Sequence, residues 1–327
     1  MGISHVGVAG AGAWGTALAQ AAARAGRRVT LWAREHDVAD MVNKNHENKA
    51  FLPGIPLAAE IVATVALADL GRCDLVLLAP PAQHLRATAS ALGAHVGSHT
   101  PVLICAKGIE RETGKLMTEV AAEAAPGLDF GVLSGPSFAA EVARGLPVAV
   151  TLALDNGARA TRLAEALSGP SLRPYVSTDT VGVAVGGAVK NVLAIACGIV
   201  EGRGFGESAR AALTTRGFAE MLRFGVALGA KPETLSGLSG LGDLILTASS
   251  HQSRNFSLGM ELARGGHRQP TSPLAEGADT SEALLVRASA VGVEMPIAEA
   301  VAAILRGAIG IDDAIRALLA RPLKPEV

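Results

Sequence analysis

Aromatic side chains are scarce in this chain: they supply 3% of 327 residues, with a single Tyr, although apolar residues reach 49%. Any core must therefore be assembled mostly from Ala, Val, Leu and Ile. An excess of charge is missing too. The formal net charge is −1 and no basic run is present, so nothing electrostatic directs the chain to nucleic acid or to an anionic membrane surface. Cysteines number only three, Cys73, Cys105 and Cys197, an odd set spread through apolar segments. They read as buried free thiols in a reducing compartment. No C-x-x-C pair or His-x-x-x-His spacing suggests a metal. The N-terminus lacks the charged flank and cleavage site of a signal peptide, so the expected location is cytoplasmic. Long hydrophobic runs are limited to residues 181–200, long enough to span a bilayer. Lys190 sits at the middle of that run, where a lipid-exposed ammonium would be costly, and four glycines weaken its helical propensity. A helix buried inside a globular protein, carrying a functional lysine, fits better than stable membrane insertion.

Glycine is abundant, with 38 residues. The most informative are Gly10, Gly12 and Gly15, in the stretch Val6-Gly7-Val8-Ala9-Gly10-Ala11-Gly12-Ala13-Trp14-Gly15-Thr16. A short apolar strand runs into Gly-x-Gly-x-x-Gly and then into an alanine-rich helix. Gly10 allows a tight turn, Gly12 lets backbone approach a pyrophosphate, and Gly15 lets helix and strand pack closely. The helix N-terminus offers free N–H groups to the anion. The glycine spacing alone is weak; the strand before it and helix after it make it a dinucleotide-binding signal.

Length allows two domains. Up to about residue 180, apolar runs at 29–32, 60–65, 74–79, 101–106, 131–133 and 148–151 alternate with helical patterns. They predict a largely parallel sheet covered on both faces, an α/β doubly wound, Rossmann-like fold. Beyond it the pattern is helical, at 181–202, 208–229, 233–249, 255–265, 280–291, 296–306 and 311–320. The expected organisation is a dinucleotide-binding domain over 1–180 and an all-α substrate-binding and catalytic domain over 181–327, with a ligand cleft between them.

Several polar residues stand out against this background. The second strand ends at Arg34-Glu35, where a dinucleotide fold meets the adenosine ribose. Arg34 could pair with a 2′-phosphate, or Glu35 could accept from a 2′-hydroxyl; NADPH is favoured over NADH. Lys107 lies at a strand end facing the crevice, where a solvated loop lysine is the alternative. Gly135 and Ser137 follow the next strand, and Ser137 could instead cap a helix. Lys190 and Asn191 lie within the apolar helix, where burial would lower the lysine pKa towards a value suited to proton transfer. If helical, Asp243 and Thr247 share a face at i and i+4, though Asp243 could be an N-cap. Ser253-Arg254-Asn255 offers one fixed cation between two hydrogen-bonding neighbours, and an arginine fork suits phosphate oxygens.

In order along the chain, Gly10–Ala19, Phe51-Leu52-Pro53, Lys107-Gly108-Ile109-Glu110, Gly135-Pro136-Ser137-Phe138-Ala139, Gly187–Val192, Gly242-Asp243-Leu244, Ser253-Arg254-Asn255 and Glu276-Gly277 resemble the bacterial NAD(P)-dependent glycerol-3-phosphate dehydrogenases. The resemblance covers nearly the whole length. It implies hydride transfer between NADPH or NADH and dihydroxyacetone phosphate, a role in phospholipid synthesis, and a homodimer. It also implies Lys190 as acid/base, and we group Asp243, Lys107 and Thr247 with it as catalytic. Lys107, Gly135, Ser137, Lys190, Asn191, Asp243, Ser253, Arg254 and Asn255 would meet the substrate. Gly10, Gly12, Ala13, Trp14, Gly15, Arg34, Lys107, Ala139, Arg254, Leu274 and Glu276 would meet the cofactor. Phe51 where Tyr is common, Ala248 where Cys is frequent and Ala275 where Val is frequent depart from the family pattern. None of the three touches a group the mechanism needs. The rival readings are another two-domain dehydrogenase, acting on a hydroxy acid or sugar acid, and a non-catalytic NAD(P) sensor.

Overall fold

The computed structural model describes residues 2–266 and 274–322. Strand β1 (His5–Ala9) enters the glycine turn, and helix α1 (Ala13–Arg24) leaves it. Next come β2 (Arg28–Trp32), α2 (His36–Asn45) and a small hairpin of β3 (Glu47–Asn48) and β4 (Leu52–Pro56). The sheet resumes with β5 (Ile61–Thr64) and β6 (Leu75–Leu78), then α3 (Leu85–Gly93), β7 (Pro101–Ile104) and α4 (Met117–Ala124). It ends with β8 (Asp129–Ser134), α5 (Ala139–Arg144), β9 (Val148–Ala153), α6 (Gly157–Leu167) and β10 (Leu172–Ser177).

The eight strands lie in the order β10-β9-β8-β7-β6-β1-β2-β5. All neighbours are parallel except β8 and β9, which run antiparallel. Helices α1, α2, α5 and α6 supply the core on one face, and α3 and α4 that on the other. Chain order reverses between β1 and β6: β2 and β5 build outward on one side and β6 onward on the other. In an open α/β sheet that switch point, at the carboxyl ends of the strands, is where a ligand binds. The glycine turn lies there. Two elements escaped the sequence pattern. The β3–β4 hairpin has no apolar alternation. Strand β10 carries Pro174 and exposed Tyr175 and Val176, which an edge strand tolerates.

The helical unit starts with α7 (Thr180–Gly202), capped by the Asp179 carboxylate accepting from Gly182 N. Its apolar window is 89% buried by protein, so a segment of mean hydropathy 1.9 is the axis of a helical core. Around it pack α8 (Gly206–Ala227), α9 (Pro232–Leu235), α10 (Asp243–Thr247), α11 (Arg254–Ala263), α12 (Glu276–Ala290) and α13 (Pro296–Leu305). Helix α14 (Ile311–Leu319) follows; residues 323–327 of the expected second domain lie outside the described residues. The α7 glycines, which weaken propensity, are contact points. A Cβ on Gly198 would run into the Phe256 carbonyl of α11, and one on Gly186 would come within 2.6 Å of the Ser239 carbonyl.

The expected continuous helix over 233–249 is a correction. It is broken into α9, a π-helical turn at Leu238–Gly242, and α10. Residues 238–242 carry two glycines, and Gly240 packs so closely on the Leu235 carbonyl that a side chain there has no room. The break re-aims α10 so that Asp243 faces α7. The three cysteines are free and buried.

Candidate active site

Lys190 lies at the middle of α7, and its Nζ donates to Asp243 Oδ1 at 2.9 Å and to Thr247 Oγ1 at 2.8 Å. Thr247 donates in turn to Asp243 Oδ1 at 3.1 Å, so the predicted i, i+4 pair on α10 is formed. From the end of β7, Lys107 reaches across the cleft and donates to Asp243 Oδ2 at 2.7 Å and to the Gly135 carbonyl at 3.2 Å. One buried carboxylate is thus bridged by two ammonium groups, and lysine, not aspartate, leaves a net positive charge.

Burial sets the protonation states. Lys190 is pushed down to about 8 by desolvation, with Asp243 opposing the shift and Lys107 adding to it. For Asp243, desolvation acts upward, but Lys107 and Lys190 outweigh it and hold the carboxyl below its ordinary value. The pair therefore offers an ammonium that can lose a proton near neutral pH beside a carboxylate that stays ionised.

The approach to this cluster is shaped by Gly135, where a Cβ would meet Val150 Cα at 2.8 Å. Ser137 donates to the Gly135 carbonyl at 2.9 Å. It does not cap α5, whose N-cap residue is Phe138, so the capping alternative fails. Ser253 is the N-cap of α11, accepting from Phe256 N at 3.2 Å; Arg254, exposed, is that helix's first residue. Cation and helix N-terminus thus coincide. Asn255 has a structural share: its Nδ2 donates to Asn191 Oδ1, and its Oδ1 accepts from Gly277 N, each at 2.9 Å. The two amides tie α7, α11 and α12 together beside Lys190.

At the switch point, Gly10 has φ +122°, and a Cβ there would lie 2.8 Å from the Ala79 carbonyl. Gly15 leaves no space between α1 and the Gly10 carbonyl. Gly12 differs: nothing lies within 4 Å of its Cβ position. As N-cap of α1 it brings no side-chain cap, and the first turn holds no acidic residue. The helix N–H groups, including those of Ala13 and Trp14, face an open cradle that a side chain would fill, which fits a dinucleotide pyrophosphate. The Trp14 indole Nε1 has no partner among the described residues, and Lys107 Nζ stands 5.9 Å from its ring centre. Lys107 thereby joins the glycine turn to the lysine–aspartate cluster. Ala139 begins α5. Half-buried Leu274 leads into α12, whose first residue Glu276 accepts from Ala82 N at 3.4 Å across the cleft. Burial raises the Glu276 carboxyl, with Arg254 opposing.

Arg34 stands apart. It lies just beyond β2, with a side chain 74% exposed and paired to Glu35 at 2.7 Å. The two alternatives for the ribose contact are therefore neighbours that neutralise each other. Replacing Arg34 with Ala is expected to weaken NADPH by roughly ten- to 150-fold more than NADH, because only NADPH carries the 2′-phosphate. Parallel titrations of both cofactors measure this; equal losses would deny Arg34 a role in phosphate recognition.

Asn48 was missed by sequence reasoning. It is fully buried in β3, and its Nδ2 donates to the Ala11 carbonyl and to Thr16 Oγ1, each at 2.8 Å. Only its place in a polar run, residues 43–48, hinted at it. Polar runs are ordinarily solvated.

The family model for the NAD-dependent glycerol-3-phosphate dehydrogenase N-terminus matches residues 5–160, and that for the C-terminus matches residues 179–316. A glycerol-3-phosphate dehydrogenase (NAD(P)+) of Caulobacter vibrioides is 56% identical over 330 residues, covering 100% of both chains. One from Bradyrhizobium sp. BTAi1 is 58% identical over 98% of each chain. The crystal structure of glycerol-3-phosphate dehydrogenase from Coxiella burnetii superposes with a TM-score of 0.92 at 36% identity, over 98% of this chain and 99% of that one.

Proposed function

This chain belongs to the NAD-dependent glycerol-3-phosphate dehydrogenase family, and from that premise we propose how its residues carry out the reaction. The reaction is the reduction of dihydroxyacetone phosphate by NAD(P)H to sn-glycerol 3-phosphate, and its reverse. The observation that supports the assignment of roles is the buried Asp243 carboxylate held between Lys190 and Lys107.

The bound nicotinamide supplies or accepts the hydride. As the substrate ketone is reduced, its oxygen gains negative charge. Lys190 stabilises that charge and delivers its proton to the oxygen, which is general-acid catalysis joined to electrostatic stabilisation. Asp243 and Thr247 hold the Lys190 amine in place. Lys107 holds the other carboxylate oxygen and adds a second positive charge to attract an anionic substrate. Arg254, at the start of α11, binds the phosphate, and the Ser253 cap and the Asn191–Asn255 clasp fix that helix end. Anchoring the phosphate orients the carbonyl. Residues 1–180 form the dinucleotide-binding domain and residues 181–327 the substrate-binding and catalytic domain, with Lys107 of the first reaching Asp243 of the second. Family likeness further suggests a cytoplasmic homodimer, checked by sedimentation at twice the chain mass, and a product that supplies the phospholipid backbone.

Cofactor absorbance, followed with dihydroxyacetone phosphate and with NADH or NADPH, tests the assignment when repeated across pH. Reduction needs protonated Lys190, whose pKa is about 8, so its rate falls as pH rises through that value. Oxidation of glycerol 3-phosphate needs the neutral amine as base, so its rate rises over the same range. Profiles of the same sign in both directions would remove Lys190 as the transferring group.

A further inference from the structure

Asn48 is 0% exposed, and both donor bonds of its side-chain amide are directed at the glycine turn and the start of α1. One Nδ2 hydrogen goes to the Ala11 carbonyl at 2.8 Å, and the other goes to Thr16 Oγ1 at 2.8 Å. The Thr16 hydroxyl donates onward to the same carbonyl at 3.3 Å. Asn48 Oδ1 accepts from Phe51 N at 3.3 Å, which closes the β3–β4 hairpin over the turn. A side-chain amide has two donor hydrogens and one oxygen, and each finds a partner here. Rotating the amide would set its oxygen against the Ala11 carbonyl, so the orientation is locked.

We propose that Asn48 is a positioning residue for the dinucleotide pyrophosphate, acting by aiming the Gly12 N–H at it. The Ala11–Gly12 peptide is trans, as are all peptide bonds among the described residues. In a trans peptide the C=O and the following N–H point in opposite directions. Holding the Ala11 oxygen towards Asn48 therefore turns the Gly12 N–H the other way, towards the side where nothing lies within 4 Å of the Gly12 Cβ position. Without that hold, only the longer Thr16 bond at 3.3 Å retains the Ala11 carbonyl, and the glycine-flanked peptide rotates more easily. A rotated peptide would present the negative end of the carbonyl dipole to a diphosphate. The hairpin, which shares no strand with the sheet, thus acts as a brace for the phosphate cradle.

This inference rests on the dinucleotide reading of the family, and the test separates the two. Calorimetric titration of the intact protein with ADP-ribose, which has a diphosphate, is compared with 2′-AMP, which carries no 5′-phosphate. Asn48→Ala is expected to weaken ADP-ribose by about tenfold, the scale of a lost buried hydrogen bond, and to change 2′-AMP far less. Asn48→Asp keeps the shape but turns an acceptor onto the Ala11 carbonyl, so its loss should be larger. That loss should shrink as pH falls through the carboxyl range, because the protonated acid donates again. The wild-type protein, titrated over the same pH range, is the reference against which that recovery is read. Asn48→Ser, uncharged and able to keep one hydrogen bond, carries the test if the alanine variant fails to fold. Unchanged ADP-ribose affinity, or equal losses for both ligands, would overturn the proposal. An equal rise in the KM for dihydroxyacetone phosphate at saturating cofactor would do the same by showing a general structural defect. A wild type that bound neither nucleotide would remove the dinucleotide reading itself.

Discussion

Lys190→Met is expected to leave the fold intact and to slow dihydroxyacetone phosphate reduction by about 10²- to 10⁴-fold, the usual scale for a lost general acid. Methionine has a similar length and is apolar, so it suits the buried middle of α7, where the flanking residues 185–189 are all buried. Removing a buried cation ordinarily strands its partner. Here Asp243 retains Lys107 at 2.7 Å and the Thr247 hydroxyl at 3.1 Å, so the carboxylate is not left bare. The loss should therefore appear in kcat. Affinity for the dinucleotide should change little, because Lys190 makes no contact with the glycine turn. Circular dichroism and calorimetric NADH binding establish that the variant is folded and loaded. Near-normal turnover in that folded protein would take Lys190 out of the mechanism.

Arg254→Ala should cost about 2–4 kcal/mol in kcat/KM on dihydroxyacetone phosphate, because it removes charge-assisted bonds to the phosphate at the start of α11. The control is dihydroxyacetone, which lacks the phosphate. Wild type should be very slow on it, and the variant little slower. Position explains why the effect should be specific. Arg254 is the first residue of α11, and Ser253 already satisfies that helix's cap, so truncating the arginine leaves the helix end formed. The Asn191–Asn255 clasp does not involve the guanidinium. Arg254 also opposes the upward shift of the Glu276 carboxyl, which the family resemblance puts at the cofactor, so both assays need saturating NADPH. Equal impairment on the two substrates would point to cofactor or fold, and the phosphate anchor would be refuted.

Much of the first domain was legible because its signals are local. The Gly10, Gly12 and Gly15 spacing follows from backbone geometry within one turn, and continuous apolar strands announce a sheet buried on both faces. The hairpin holding Asn48 was not legible, since neither its short strands nor its polar run carries a period. The break at Leu238–Gly242 was hidden for a related reason. Apolar spacing on either side suits one helix, whereas the π turn brings Gly240 onto the Leu235 carbonyl and the Ser239 carbonyl onto Gly186 of α7, a long-range contact that no local pattern encodes.

By itself, the sequence determined the two-part architecture, the dinucleotide turn, the placing of Lys190 on an apolar helix and the family resemblance that names the reaction. Each depends on residues near one another along the chain or on motif order. Tertiary structure decided which charges meet. Lys190 and Asp243 are 53 positions apart, and Lys107 and Asp243 are 136 apart. No period or spacing relates them. They converge because glycines let α10 and α11 approach α7 closely while the sheet delivers Lys107 from the opposite side of the cleft. Burial then does what composition cannot: it lowers the Lys190 pKa to about 8, and the two ammonium groups keep Asp243 ionised. Proton affinity depends on the dielectric and on charges within a few ångströms, and only the folded chain defines either.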